Sequence, residues 1–169
     1  MNSYTFKTNR LQAERLFPKH KVEIFAMHRE KKVMETLGEL ANVENDVLGW
    51  LENNVNHWER HGYGIWMFYD KETGAFVGRG GLRHDKVEGR EEIEVEYALL
   101  PDYWGKGLGT EIGIAILDIA QKCGIKSVVA YTKTSHTASI HVMKKLGFTY
   151  ERKIQYGGTP HVLYRKVLG

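Results

Sequence analysis

Residues 97–111 read Tyr97-Ala98-Leu99-Leu100-Pro101-Asp102-Tyr103-Trp104-Gly105-Lys106-Gly107-Leu108-Gly109-Thr110-Glu111. The pattern predicts a strand that ends near Pro101 and a helix that begins at the last glycines, with a glycine-rich turn between them. Three glycines leave the backbone amides open to a ligand, and a helix start adds unpaired N–H groups and a partial positive charge. The turn therefore predicts a cradle for a diphosphate, with a tight connection whose glycines serve geometry alone as the alternative.

The two common nucleotide-binding motifs do not fit this turn. A dinucleotide fingerprint requires glycine at its sixth position and an acidic residue roughly 20 residues later. The sixth position from Gly105 is Thr110, and the next predicted strand, Lys126 to Thr132, contains no acidic residue. A P-loop requires a lysine before its final hydroxyl residue, whereas this chain has glycine at position 109. Both interpretations are excluded.

The wording from Tyr103 to Glu111 resembles the acyl-CoA-binding motif of the GNAT N-acetyltransferase superfamily. It matches the form used in the RimJ/RimL-type branch, Tyr-Trp-Gly-Lys-Gly-x-x-Thr-Glu. Thr8-Asn9-Arg10-Leu11 is similar to the opening strand of that branch. Its last helix is similar to His136-Thr137-Ala138-Ser139 together with Lys145-Leu146-Gly147-Phe148. The resemblance extends over nearly the whole chain.

Length and composition indicate one ordinary globular domain over residues 1–169, with 42% hydrophobic and 27% charged residues. The net charge of +3 comes from 24 basic and 21 acidic side chains scattered along the chain, which predicts no nucleic-acid or membrane partner. One cysteine, Cys123, cannot form an internal disulfide and fits a reducing compartment. The N-terminal residues have no apolar signal region, so a cytoplasmic location is expected.

The order of predicted elements is that of a layered α/β domain, a mixed sheet with helices on both faces. The resemblance implies a largely antiparallel, twisted sheet in which the strand Glu91–Leu100 splays away from the strand Lys126–Thr132. Other expectations are a first strand over Thr8–Phe17, one helix over Val22–Thr36 with a stop at Gly38, and a second helix over Glu44–Arg60. A charged loop is expected over Arg83–Arg90. Three glycines in the strand Ala75–Leu82 predict a bulge or a nearby ligand, and they are Gly78, Gly80 and Gly81.

The resemblance implies acetyl-CoA as co-substrate. The pantetheine arm would pair with Leu99 and Leu100, where a backbone N–H would polarise the thioester carbonyl. His136 stands where the family usually has asparagine, and it would bond the arm; a helix N-cap or an exposed ring is the alternative. The pyrophosphate would be held by the amides of Gly105, Lys106, Gly107, Leu108, Gly109 and Thr110.

Acetyl transfer to an amine requires a base for the amine and an acid for the leaving thiolate. Glu94 stands where the branch commonly has glutamate, and Glu96 follows on the same face, where mutual repulsion would raise a pKa. The alternative is that both belong, with Glu92, to a solvated face. Many superfamily members have a tyrosine acid where this chain has Met143. The RimJ/RimL-type branch tends to have a serine at the position of Ser139, so the resemblance implies Ser139 as the acid, with a capping role as its alternative.

The resemblance thus implies an N-acetyltransferase that works by direct transfer in a ternary complex. Its acceptor would be a primary amine on a small molecule or on a protein or peptide, such as the N-terminal α-amine of a ribosomal protein. The acceptor pocket is expected between the first two helices, the strand around Arg79 and the last hairpin near Tyr156. The alternatives are a CoA-binding sensor without turnover and a structural domain with an empty turn.

No metal is expected, since His57 and His61 are four residues apart at a helix end with no acidic residue at ligand spacing. The chain would act as a monomer or a homodimer.

Overall fold

The computed structural model describes residues 4–37 and 43–169, the side chains of residues 43–46 excepted. Eight strands form one sheet in the order β1-β2-β3-β4-β5-β6-β8-β7. The strands are β1 (Thr5–Lys7), β2 (Leu11–Arg15), β3 (Ile65–Asp70), β4 (Phe76–Val87), β5 (Arg90–Leu99), β6 (Ser127–Lys133), β7 (Thr149–Tyr156) and β8 (Thr159–Val167). The helices are α1 (Lys21–Arg29), α2 (Lys31–Leu37), α3 (Val43–His61), α4 (Leu108–Lys122) and α5 (Thr137–Lys145). Among the described helices, none is long and apolar enough to cross a membrane.

The sheet is antiparallel except where β5 runs parallel to β6. These two strands share one register pair, Glu94 with Val129, and then separate towards the end of β5. The predicted splay between Glu91–Leu100 and Lys126–Thr132 is therefore present, and Glu94 lies at its apex. Beyond Glu94, the edge of β5 that faces β6 has no strand paired with it among the described residues. This gap leaves room for an extended ligand.

The β4–β5 hairpin corrects one expectation. The predicted charged loop over Arg83–Arg90 is wrong, because β4 continues to the fully buried Val87 and the turn is only Glu88-Gly89. Both turn residues have positive φ, 47° and 83°, as a tight two-residue hairpin requires. The charges misled the prediction because these side chains pair with residues of other strands, Arg83 with Glu94 of β5 and Asp85 with Tyr131 of β6.

Two boundaries near the N-terminus also differ from expectation. The predicted helix over Val22–Thr36 is two helices, α1 and α2, because Glu30 between them is extended with ψ 105°. The predicted stop at Gly38 lies outside the described residues. The expected strand over Thr8–Phe17 is the shorter β2, whose edge is covered by β1. The helix expected over Glu44–Arg60 is confirmed as α3.

The glycines of β4 are required by close packing. A Cβ at Gly81 would lie 2.0 Å from the Gly64 carbonyl oxygen, and one at Gly78 would lie 2.3 Å from the Ala98 oxygen. A Cβ at Gly80 would lie 2.9 Å from a methyl of Ile112 on α4. The register of β3 with β4 shifts between Phe68 and Tyr69, where β4 has Val77 as an extra residue, so the expected bulge lies beside Gly78. The glycines therefore let β3, β5 and α4 approach β4.

Candidate active site

The glycine-rich turn ends at Gly107, the N-cap residue of α4. Gly105 and Gly107 have φ of 71° and 77°, a left-handed conformation that favours glycine, whereas Gly109 is helical. The backbone amides of residues 105–110 donate to no described group, while the next one, of Glu111, donates to the Gly107 oxygen at 3.1 Å. Consecutive unpaired amides at a helix start form an anion-binding concavity.

A contact from the other end of the chain holds this turn. Arg10 donates through Nε to Glu111 Oε1 at 2.7 Å and through Nη1 to the Lys106 carbonyl at 2.8 Å. Glu111 Oε2 also accepts the Arg10 amide at 2.8 Å and the Thr8 hydroxyl at 2.5 Å. These partners keep the pKa of Glu111 below its usual range against the opposing effect of burial. We call Arg10, Glu111 and the Lys106 carbonyl the turn clamp.

The resemblance placed a backbone N–H for the thioester at Leu99 or Leu100, and the end of β5 has one such amide free among the described groups. The Leu100 N–H donates to the Val77 oxygen at 2.9 Å, so it is not available to polarise a thioester carbonyl. The same bond makes Gly78–Leu99 a non-hydrogen-bonded pair, so the Leu99 N–H points away from β4 into the splay. The Leu99 carbonyl, on the same side, accepts the Trp104 indole N–H at 2.8 Å.

The two candidate bases lie on the opposite face of β5 from α4, and both are buried. Glu94 is 6% exposed and Glu96 is 8% exposed, so the solvated-face alternative is wrong for these two residues. Arg83 Nη2 donates to Glu94 Oε1 at 3.0 Å, and its Nη1 lies 3.7 Å from Glu96 Oε2. Arg79 Nε lies 3.1 Å from Glu96 Oε1.

This arrangement separates the two carboxyl groups electrostatically. Burial raises the pKa of Glu94, and the attraction of Arg83 offsets that only in part. Burial also acts to raise the pKa of Glu96, but Arg79 and Arg83 together hold it below the usual value. Glu96 therefore remains a carboxylate, whereas Glu94 can exchange a proton in the neutral range.

The segments expected to form the acceptor pocket meet around these groups. Arg79 on β4 contacts His28 Nε2 of α1 at 2.9 Å and lies over the Trp50 ring of α3, 4.1 Å from its centroid. Burial, with a smaller effect of Arg79, lowers the pKa of His28 to about 4, so His28 is neutral. Tyr156 from the last hairpin donates to Asp85 Oδ2 at 2.6 Å.

On the α4 face of β5, the candidate acid contacts a second hydroxyl. Ser139 is the third residue of α5, and its Oγ lies 3.2 Å from the Tyr97 hydroxyl, so its capping alternative is wrong. Tyr97 was missed as a candidate, although it follows Glu94 by three residues on the same strand and begins the stretch of residues 97–111. Burial raises its pKa and keeps the hydroxyl protonated. Met143 is buried in the core.

His136 occupies the N-cap position of α5 without a side-chain capping bond. Its Nδ1 lies 3.0 Å from the Thr132 hydroxyl, and burial lowers its pKa. The His136 ring is therefore held by a hydrogen bond at one nitrogen, and it is neutral.

A histidine cluster lies apart from these groups, where His84 of β4 joins His57 and His61. His57 is engaged at both nitrogens, by the Tyr63 oxygen at 3.0 Å and by the His84 amide at 2.9 Å. The rings of His61 and His84 stack with centroids 3.7 Å apart, and His84 Nε2 bonds the Tyr63 hydroxyl. Two of the three rings, His57 and His84, are thus already hydrogen-bonded, and a metal ion bound here would have to displace those contacts.

Comparisons with known proteins agree with this geometry. A family model for the acetyltransferase (GNAT) domain matches residues 10–149. The L-amino acid N-acyltransferase MnaT of Escherichia coli (strain K12) is 33% identical over 70 residues, which is 41% of this chain and 41% of that protein.

Two solved structures show the same fold. A putative GnaT-family acetyltransferase from Bordetella pertussis superposes with a TM-score of 0.85 at 22% identity, over 97% of this chain and 99% of that one. The structure of yncA, a putative acetyltransferase from Salmonella typhimurium with its cofactor acetyl-CoA, gives 0.71 at 20% identity, over 95% of each chain. The predicted mixed sheet with flanking helices is confirmed.

Proposed function

Because the chain belongs to the GNAT acetyltransferase family, we propose that it transfers an acetyl group from acetyl-CoA to a primary amine by direct attack in a ternary complex. The observation that supports this most is the row of six unpaired amides at residues 105–110, together with the free Leu99 N–H at the end of β5. A pyrophosphate joined to an extended, amide-bearing arm requires such a set of donors. The chemistry needs no metal ion.

On the donor side, we assign the pyrophosphate to the amides of Gly105, Lys106, Gly107, Leu108, Gly109 and Thr110. The Leu99 N–H would polarise the thioester carbonyl and stabilise the oxyanion that forms on it. Leu100 would contribute packing rather than a hydrogen bond to the arm. His136, neutral and near the start of α5, would bond the pantetheine.

On the acceptor side, Glu94 is the proposed base, since it lies at the apex of the splay with a raised pKa. Glu96, held ionised by two arginines, would attract the cationic amine and favour its approach. The neutral amine then attacks the carbonyl carbon, a C–N bond forms and the C–S bond breaks. Ser139 and Tyr97, on the other face of β5, are the proposed proton source for the thiolate.

The sequence motif of the turn supports a proposal for the acceptor class. Tyr103 to Glu111 has the RimJ/RimL form, and we therefore propose a protein N-terminal α-amine or a small amine of similar shape. The E. coli relative is named as an L-amino acid N-acyltransferase, and the amine of an amino acid is likewise an α-amine.

The test is incubation with acetyl-CoA and a panel of primary amines, with free thiol measured against time and acetylated product identified by mass spectrometry. We expect thiol release that depends on the amine. Tight CoA binding without thiol release for any amine would favour a sensor instead. Absence of any thermal shift with CoA would refute the cradle assignment. Replacement of Gly107 by valine, at φ 77°, should abolish CoA binding because the turn can no longer form.

A further inference from the structure

The hydroxyl of Tyr131, on β6, lies between two carboxyl groups of β4 and β5. It is 2.5 Å from Asp85 Oδ2 and 3.0 Å from Glu94 Oε1. Asp85 Oδ2 also accepts the Tyr156 hydroxyl at 2.6 Å. Tyr131, Asp85 and Glu94 thus form a continuous chain of hydrogen-bond distances, which we call the proton chain.

Counting protons shows how this chain must be populated. A tyrosine hydroxyl has one proton and can donate to one of the two carboxyl groups, so the second contact is a hydrogen bond only if that carboxyl is protonated. Asp85 already accepts from Tyr156, and its side chain is 25% exposed, whereas that of Glu94 is 8% exposed. The extra proton therefore belongs on Glu94, which donates to Tyr131 while Tyr131 donates to Asp85.

We propose that Tyr131 and Asp85 form a relay that moves the proton taken up by Glu94 from the acceptor amine to the protein surface. This inference rests on the proposed function, since it assigns Tyr131 and Asp85 to the same reaction. Both would be positioning residues, because neither touches the reacting atoms.

The proton balance of the reaction requires one such exit. An ammonium nitrogen loses two protons when it becomes an amide. Glu94 first passes its proton to the Tyr131 oxygen while the Tyr131 proton moves to Asp85, which releases it to water. The ionised Glu94 then takes the first proton of the ammonium nitrogen and returns to its protonated resting state. The second proton leaves the nitrogen after attack. It balances the proton that the thiolate gains from Ser139 and Tyr97, so these two protons cancel in the overall reaction. The net products are the amide, the free thiol of CoA and one proton in solvent.

The surroundings of Glu94 favour this route. The charged and titratable groups that face it are Arg83 and Asp85 from β4, Glu96 from its own strand, Tyr131 from β6 and, beyond Asp85, Tyr156 from β7. Arg83 stays charged and cannot pass a proton on. Of the described groups that touch Glu94, Tyr131 is the one that can both accept and donate.

The test compares wild type with Tyr131→Phe and Asp85→Asn, using Tyr150→Phe as the matched control. Tyr150 is 52% exposed on β7 and lies outside the proposed site. Tyr131→Phe keeps the ring that packs on Tyr156 at 4.7 Å. The kinetic constants kcat and KM are measured against pH with the best acceptor of the amine panel, and acetyl-CoA affinity is measured by titration calorimetry.

We expect Tyr131→Phe and Asp85→Asn to lower kcat by about 10²-fold at pH values where the acceptor is an ammonium ion, with unchanged acetyl-CoA affinity. The loss should shrink as pH rises past the acceptor's pKa, because a neutral amine needs no exit for its first proton. A loss of the same size at every pH, or no loss, would overturn the relay and leave the transferase assignment intact.

A second measurement does not depend on activity. Infrared spectroscopy of the resting protein should show the C=O stretch of a protonated carboxyl group that disappears in Glu94→Gln. Its absence in wild type at pH 6 would overturn the proton count. If wild type releases no thiol with any amine, the proposed function and the relay fall together, whatever the infrared spectrum shows.

Discussion

Arg10 does not belong to the row of amides at residues 105–110, yet its removal should weaken the binding of CoA there. It ties the β1–β2 connection to the turn through the Lys106 carbonyl and to the first helical turn through Glu111. Without it, the Glu111 carboxylate also remains uncompensated beside the amides that would hold a pyrophosphate. We therefore expect Arg10→Ala to lower the affinity for CoA by loosening the turn and by adding an unneutralised negative charge.

The magnitude follows from the contacts and their exposure. The Arg10 side chain is 46% exposed, so its ion pair with Glu111 contributes about 0.2–1 kcal/mol. Its charged hydrogen bond to the Lys106 carbonyl would contribute about 1.5 kcal/mol or more if buried, and roughly 1 kcal/mol at this exposure. The sum is about 1–2 kcal/mol, which corresponds to a dissociation constant raised about 5- to 30-fold.

The assay is calorimetric titration with CoA for wild type, Arg10→Ala and Arg10→Lys. Lys122→Ala is the control, because it breaks an ion pair of 2.8 Å with Asp118 on the same helix, far from the turn. Arg10→Lys should be intermediate, since lysine keeps the charge but cannot bond both partners at once. Arg10→Ala with the CoA affinity of Lys122→Ala would refute the turn clamp.

Three further outcomes are expected. Ser139→Ala should lower kcat by about 10²-fold at unchanged acetyl-CoA affinity; an unchanged kcat would remove this hydroxyl from the mechanism. Because burial raises the pKa of Glu94 to about 7, kcat/KM should rise with pH as that carboxyl ionises. Glu94→Gln should abolish this rise on the acidic side of the pH profile. An identical pH profile in the variant would exclude Glu94 as the base. Gly81→Ala should destabilise the fold by about 1–3 kcal/mol or more, since its Cβ would lie 2.0 Å from backbone. Gly49→Ala, whose Cβ would meet nothing within 4 Å, should instead stabilise α3. Equal melting temperatures of the two variants would contradict this prediction.

The turn and its helix could be predicted from the residues because glycine conformation and helix-end chemistry are local properties. The splay could be predicted only through the resemblance, since a single parallel register pair has no signature in either strand. Glu94 and Glu96 were placed on one face correctly by alternation along β5. Whether that face is exposed to solvent could not be predicted, because the burial of the two carboxyl groups depends on Arg79 and Arg83 from the neighbouring strand.

What could not be predicted depends on strand register. Tyr131 and Asp85 are 46 residues apart, and their contact requires the pairing of β4 with β5 and of β5 with β6. The free Leu99 amide and the occupied Leu100 amide differ by one residue, which only the hydrogen-bonding pattern with β4 distinguishes. The charged residues after Leu82 suggested a loop for the same reason: their partners lie on other strands.

The alternation of side chains along β5 has an evolutionary consequence. In the proposed reaction the even-numbered positions of β5 face the amine and the odd-numbered positions face α4 and the coenzyme, so one short segment would serve two substrates without one residue having to satisfy both. Mutations at the even positions could therefore shift preference to a new amine while leaving the donor's binding constant nearly unchanged. The same strand would let a descendant protein change its target in small, independent steps.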